Sequence, residues 1–177
     1  MSEFNVSKKA GNIGEEEILK ILQRKYPQAF IDDRGKANSD WDIFVPEINE
    51  GIEVKNDYKS KFTGNLVIEV EMNGKLSALS KTKAKYWVFI TGYRYIWITP
   101  LEIYRFLEQH FEYGRVSFTG DGDNKEKKAY LVRHDTLVKH IHHNLDKKDG
   151  WVTMIKEDEV MYYDNFTKRY KENEIDG

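Results

Sequence analysis

Asp42, Glu53 and Lys55 are the residues of this chain whose types and spacing best suit chemistry. Glu53 and Lys55 lie in "GIEVKND" (51–57), and Asp42 lies in "WDIFV" (41–45). Both runs read as short apolar strands, separated by a turn containing Pro46, Asn49 and Gly51. Side chains alternate faces along a strand, so Glu53 and Lys55 share one face and Ile52 and Val54 the other. Asp42 and Phe44 share a face in the same way. With the turn centred near Ile48 or Asn49, Asp42 falls beside Glu53 or Lys55, at the roughly 4.5–5.5 Å Cβ separation of opposed residues.

Two carboxylates that close repel each other unless positive charge sits between them. A divalent cation meets that need, and Mg²⁺ is the natural choice because it binds through one or two carboxylates and keeps several waters. Such an ion makes bound water a better nucleophile and offsets charge on a phosphate. A lysine beside it could orient that water, lower its pKa or contact the phosphate. The competing reading is a cross-strand ion pair on a half-exposed sheet face. The acidic-x-Lys pattern alone does not choose, because it recurs at Asp57–Lys59, Asp123–Lys125, Glu126–Lys128 and Asp146–Lys148. Those four sit in polar, turn-like settings. Only Glu53-Val54-Lys55 lies in an apolar strand that follows a second strand carrying an aspartate.

Several elements must position these residues. From about Ser7 to Tyr26 the spacing predicts a helix, with an apolar stripe of Ile18, Leu19 and Leu22 preceded by Ala10 and Ile13, and Pro27 ends it. Gly11 and Gly14 each cost about 1 kcal/mol against alanine there, and a glycine kept inside a helix often admits a close neighbour. Strand character follows at 29–33, 41–45, 51–55 and 65–72. "KYWVFIT" and "RYIWIT" read as a hairpin turning at Gly92-Tyr93. Thr99-Pro100-Leu101-Glu102 has the form of a capping box, so a helix should run from Pro100 to about Phe111. "RVSFT" and "KAYLV" suggest a hairpin around "GDGDNKEK", then a short helix from Asp135 and one more strand at 151–155. The order predicts a mixed α/β domain, with helices flanking a central sheet.

The opening helix adds a motif. "GNIGEEEILKIL", "WDIF" and "IEVKN" together resemble the PD-(D/E)XK nuclease superfamily, within it the Holliday-junction-resolvase-like and phage-type endonucleases. Gly11, Gly14 and Glu15 match the Gly-x-x-Gly-Glu start of the family's first helix, with Leu22 at a core position. Trp41-Asp42 stands at the Pro-Asp element with tryptophan replacing proline, and Glu53 follows Asp42 by the family's usual gap. The resemblance is firm over about residues 8–57. It implies a restriction-endonuclease-like core over 1–113, a central mixed sheet flanked by helices. An α+β extension over 114–177 would pack on that core and serve dimer contacts or DNA recognition. It further implies a Mg²⁺-dependent DNA endonuclease in which Mn²⁺ substitutes. Asp42, Glu53 and the Val54 carbonyl would hold the metal, Lys55 would position or activate the attacking water, and Glu15 would hold a second metal or a metal-bound water. Glu16 is the alternative helical residue and Glu69 an auxiliary acid. A non-catalytic DNA-binding module on the same fold is the alternative function.

The remaining composition bounds the partners. The chain has 177 residues, 33% of them charged, and a net charge of -2, so a basic coat for nucleic acid is absent and contact must use a local patch. The most basic stretch runs from Lys55 to Lys85, with seven lysines against Asp57, Glu69 and Glu71. Lys59, Lys61, Lys81 and Lys83, interleaved with Tyr58, Phe62 and hydroxyls, suit phosphate contacts. Cutting both strands of a duplex from one site per chain suggests a homodimer. There is no cysteine, no apolar leader and no membrane-length apolar run, which fits a cytoplasmic protein without membrane contact. "HIHHN" (140–144) reads as a surface helix end rather than a metal site, because no acidic partner lies at a recognisable spacing. The aromatics of 86–97 read as core or sheet surface.

Overall fold

The computed structural model describes residues 3–34, 40–57, 59–91, 94–110, 112–119, 124–143 and 152–155. Tyr58, the Gly92-Tyr93 turn, most of the "GDGDN" loop, Trp151 and the polar C-terminal stretch lie outside the described residues. The fold is mixed α/β. Helix α1 (Glu3–Gln23) is followed by strands β1 (Phe30–Ile31), β2 (Ile43–Val45) and β3 (Glu50–Asn56). A short helix α2 (Ser60–Thr63) leads to β4 (Asn65–Met72), β5 (Lys75–Leu76) and a 3-10 turn at Ala78–Ser80. Then come β6 (Tyr86–Ile90), β7 (Arg94–Ile98), α3 (Pro100–Gln109), β8 (Arg115–Thr119), β9 (Glu126–Arg133), α4 (His134–His143) and β10 (Val152–Ile155).

Two sheets form. The first is mixed, with order β1-β2-β3-β6-β7-β10, and the second has order β5-β4-β9-β8. In the first, β3 runs antiparallel to β2 but parallel to β6, with Ile52 opposite Tyr86 and Asn56 opposite Ile90. A parallel neighbour needs a crossover, and here residues 57–85 supply it through α2 and β4 rather than through a long helix. The clean alternation of 65–72 does make a strand, but in the second sheet, where β4 pairs with β9 along its length. The stretch after residue 113 enters both sheets, since β9 pairs with β4 and β10 with β7.

Alternation then sorts the core into two layers. Ile43, Val45, Ile52, Val54, Val88 and Ile90 face α1, burying against Ile18, Ile21 and Leu22. Trp87, Phe89, Ile96 and Ile98 face the other way and meet Leu66 and Ile68 of β4, Phe106 of α3 and Leu137 of α4. Fully burying each such side chain contributes about 1.5–3 kcal/mol. The first sheet is thus covered on both faces, by α1 on one side and by the second sheet with α3 and α4 on the other. The apolar stripe of α1 ends earlier than its spacing predicts, because Ile13 is 52% exposed. The reason is placement: Gly14 lies over Asn56 and Ile90, the last residues of β3 and β6, so the helix before it runs past the end of the sheet. A Cβ on Gly14 would stand 2.8 Å from Asn56 Cβ, whereas one on Gly11 would meet nothing within 4 Å. Only Gly14, of the two, is required by a close approach.

The predicted capping box at α3 forms by half. Thr99 Oγ1 accepts from the Glu102 N–H at 3.2 Å, but the Glu102 carboxylate turns away and is buried against His140 Nε2 (2.9 Å) and Arg105 Nη1 (3.1 Å). This corrects the surface reading for His140, while His143, the last residue of α4, is exposed. His140 is buried, and its acidic partner lies 38 residues earlier in the chain, where local spacing gives no hint of it. Among the described residues, no helix is long and apolar enough to cross a membrane.

Candidate active site

The turn arithmetic decides where Asp42 falls. Ile43 opposes Ile52 and Val45 opposes Glu50, so the ladder carried one step further sets Asp42 against Glu53. The Asp42 N–H donates to the Ile52 carbonyl at 3.0 Å, and the Asp42 carbonyl accepts from the Asp32 N–H at 2.8 Å, which fixes the backbone from both sides. Its side chain turns onto the edge of β3, where Oδ2 accepts from the Val54 N–H at 2.7 Å. The Val54 carbonyl points to that same edge, because N–H and C=O of one strand residue project together.

Glu53 and Lys55 lie on the opposite face from Ile52 and Val54, as alternation requires. Lys55 Nζ donates to Glu53 Oε1 at 2.5 Å and sits 5.0 Å from the centre of the Trp87 ring. About a third of the Lys55 side chain stays accessible, so the pair is shielded but not sealed.

Burial and carboxylate neighbours act together on Glu15 and Asp42. Burial, then repulsion from Asp42 and Glu53, pushes Glu15 up to about 7, with Lys55 opposing. Burial, then Glu53, pushes Asp42 up to about 6, against the pull of Lys55 and the Val54 N–H. Burial draws Lys55 down, but Glu53 and Asp42 outweigh it and the net direction is up, so Lys55 is a fixed cation at neutral pH. Glu15 therefore enters the field of the hairpin from α1, while Glu16 is exposed beside it.

The donor set suits an oxygen-seeking cation with a mostly water shell. Asp42 and Glu53 offer hard oxygens, and burial first, then carboxylate neighbours, makes the charged forms of Asp42 and Glu15 costly without a cation. Among the described residues, no three His, Asp or Glu side chains are arranged to enclose an ion. Mg²⁺ held by one or two carboxylates is compatible with that, and an all-protein cage is not.

The other candidates scatter. Glu69 faces outward on β4, accepting from Ser77 Oγ at 2.5 Å and lying 3.7 Å from Lys127 Nζ, and it adds weakly to the field at Lys55. The basic stretch is not one patch. Lys59 and Lys61 flank the start of α2, just past the C-terminal end of β3, and Lys61 stands over the ring of Phe62, which is 80% exposed. Lys81 and Lys83 precede β6, and because β6 runs parallel to β3 they lie near the opposite end of β3. Lys83 also pairs with Asp40 at 3.1 Å. Asp57, the last residue of the stretch 51–57, accepts from the Val67 N–H and ties the end of β3 to β4.

Sequence reasoning missed a second cluster beside the first. Asp32 accepts from Arg34 Nε at 2.7 Å, Arg34 Nη2 at 2.5 Å and Trp41 Nε1 at 2.8 Å. Hydrogen bonds from Arg34 hold its pKa down to about 2. The indole of Trp41 lies over Gly51, where any Cβ would collide with it, and stacks on Phe44 with centroids 5.2 Å apart. The missing side chain at Gly51 was the available signal. No protein-family model, no curated protein and no solved structure matches this chain.

Proposed function

We propose that the protein is a Mg²⁺-dependent DNA endonuclease with a restriction-endonuclease-like core, hydrolysing phosphodiester bonds at Asp42, Glu53 and Lys55. The observation that carries this reading is that one hairpin sets Asp42 on the Val54 N–H, beside Glu53 paired with Lys55, while burial and these neighbours raise the carboxyls of Asp42 and of Glu15 on α1. Such clustering of perturbed groups marks functional sites more often than structural ones. Asp42 and Glu53 would hold the metal with the Val54 carbonyl, and Glu15 would take a metal-bound water. When bound, Mg²⁺ supplies charge neutralisation at the phosphate and lowers the pKa of water. Lys55 donates hydrogen bonds rather than accepting a proton, so its part is to orient the nucleophile and the phosphate oxygens. Lys59, Lys61, Lys81 and Lys83 lie toward either end of β3, where a polyanion crossing the site would meet positive charge on both sides. A homodimer would bring two such sites to the two strands of a duplex.

The test is a cleavage panel of duplex, nicked, branched and single-stranded DNA in Mg²⁺ and in Mn²⁺, with EDTA as the control. Cleavage that EDTA blocks and that Lys55→Ala removes is the expected result. Cleavage by Lys55→Ala equal to wild type would remove Lys55 from the site. One observation favours a second reading, a DNA-binding module without catalysis: Lys55 and the Val54 N–H already satisfy part of Glu53 and Asp42 without a metal. Salt-dependent DNA binding, with no cleavage and no heat of Mg²⁺ or Mn²⁺ binding, would select it.

A further inference from the structure

A broad groove lies away from the carboxylates, around the turn end of β3. It is open, about 1030 Å³, and contains none of Glu15, Asp42, Glu53 or Lys55. Its aromatic wall is continuous. Phe30 opposes Phe44 across β1 and β2 with ring centroids 6.0 Å apart, and Phe44 stacks on Trp41. Phe30 is 43% exposed. Arg34, Lys83 and Lys85 line the same groove, and Glu50 is the acid among its described lining residues.

Register places this wall beside the candidate site. Phe44 opposes Gly51, and both fall on the sheet face that carries Asp42 and Glu53. Along β2, Asp42 and Phe44 are two residues apart, about 7 Å, which is close to one nucleotide step of an extended strand. A chain crossing the carboxylates in this direction would reach Trp41 and then Phe44 and Phe30. The rings offer flat faces, and the cations, though Arg34 already bonds Asp32 and Lys83 pairs with Asp40, keep further donors for the backbone between them. Paired bases in a duplex hide their faces in the stack, so an unpaired strand is the form of DNA that uses such a wall.

We propose that this groove binds unpaired DNA next to the cleavage site, stacking bases on Phe30, Phe44 and Trp41, with Arg34, Lys83 and Lys85 along the backbone. The inference deepens the nuclease reading and rests on it for the identity of DNA as ligand. It makes the preferred substrate a duplex with an unpaired tail or a branch.

The test measures binding alone. Full-length Glu53→Gln protein in EDTA is titrated with a fluorescent blunt duplex, the same duplex with a short oligo-dT tail, and oligo-dT itself. The tail should tighten binding about tenfold over the blunt duplex. Phe30→Ala, and Phe30→Ala with Phe44→Leu, should remove that gain and leave blunt-duplex affinity unchanged, with thermal melts showing both variants folded. Equal affinity for tailed and blunt DNA overturns the proposal. So does a tail effect that survives in the folded variants, which would leave the groove to a partner of another class. Tail binding through the groove by a wild-type protein that cuts nothing in Mg²⁺ or Mn²⁺ would sink the nuclease reading and leave this one standing.

Discussion

Two aspartates ten residues apart in the chain have opposite fates. Asp32 is surrounded by donors, two from the Arg34 guanidinium and one from the Trp41 indole, and its pKa falls to about 2. Asp42 is buried beside Glu53, and the pull of Lys55 and of one backbone donor does not offset this, so its pKa rises to about 6. Both are bound to the same local backbone, since the Asp32 N–H donates to the Asp42 carbonyl. The difference shows how burial and the supply of donors set the two charges apart. Asp32 has its charge answered by the fold. Asp42 is buried beside another carboxylate with fewer donors, which the proposed function reads as a site held ready for a cation at a cost in stability.

The largest test of that contrast is catalytic. Lys55→Ala or Glu53→Gln should lower the DNA cleavage rate by at least about 10²–10³-fold, whereas Asp32→Asn, which keeps an acceptor for Trp41, should stay within a few-fold of wild type in the same assay. Equal losses in both would erase the distinction.

Stability should move the other way. Asp32→Ala strands the Trp41 N–H and should cost about 1–3 kcal/mol. Arg34 is largely exposed and can return to water, which keeps the loss at that level. Asp42→Asn removes a buried charge and its repulsion from Glu53 and should stabilise the metal-free protein at pH 7 by about 1–3 kcal/mol. Denaturant melts of the two variants, in EDTA, check both signs.

Acid titration separates the regions again. An acid whose pKa is raised on folding binds protons more tightly in the native state, so its region is most stable at low pH. The Asp42 and Glu15 contribution should therefore fall as pH rises from about 4 to about 7, then level. The Asp32 contribution is complete above its unfolded value near 4 and is lost as pH falls toward 2. Metal-free melts across pH 2–8 should show both limbs, and Asp42→Asn should flatten the upper one.

The smallest effect concerns the helix that brings Glu15 in. Gly14→Ala forces a Cβ against Asn56 and should destabilise by about 1–3 kcal/mol. Gly11→Ala meets nothing and should stabilise by about 0.5–1 kcal/mol. If the first change also shifts Glu15 away from the hairpin, its carboxyl resonance should titrate lower.

What could be read in advance follows the range of the interactions. Alternation and turn length narrowed Asp42 to a place beside Glu53 or Lys55, because a hairpin register depends on a few adjacent residues, and the observed register chose Glu53. The same alternation identified 65–72 as a strand but carried no information about which sheet it joins, since its partner β9 lies some sixty residues later. The basic stretch looked like one patch because it is one stretch; the parallel crossover sends its two halves to opposite ends of β3. Glu102 looked like a capping residue from its offset to Thr99, and only the fold reveals His140 beside it. Residues that act through neighbours in sequence were legible, and those that act through the crossover were not.

The last described strand carries its own consequence. β10 pairs with β7 from Val152 to Ile155 and forms the outer strand of the first sheet. During synthesis, everything through α4 leaves the ribosome before that strand exists. Until then β7, whose Tyr95 and Ile96 sit in the core, presents an open row of backbone donors and acceptors. An open row of this kind is a template for another nascent chain, so the interval before residues 152–155 emerge is when the protein is most exposed to misassembly. A chain truncated before β10 would keep all four candidate site residues and carry that exposed edge permanently.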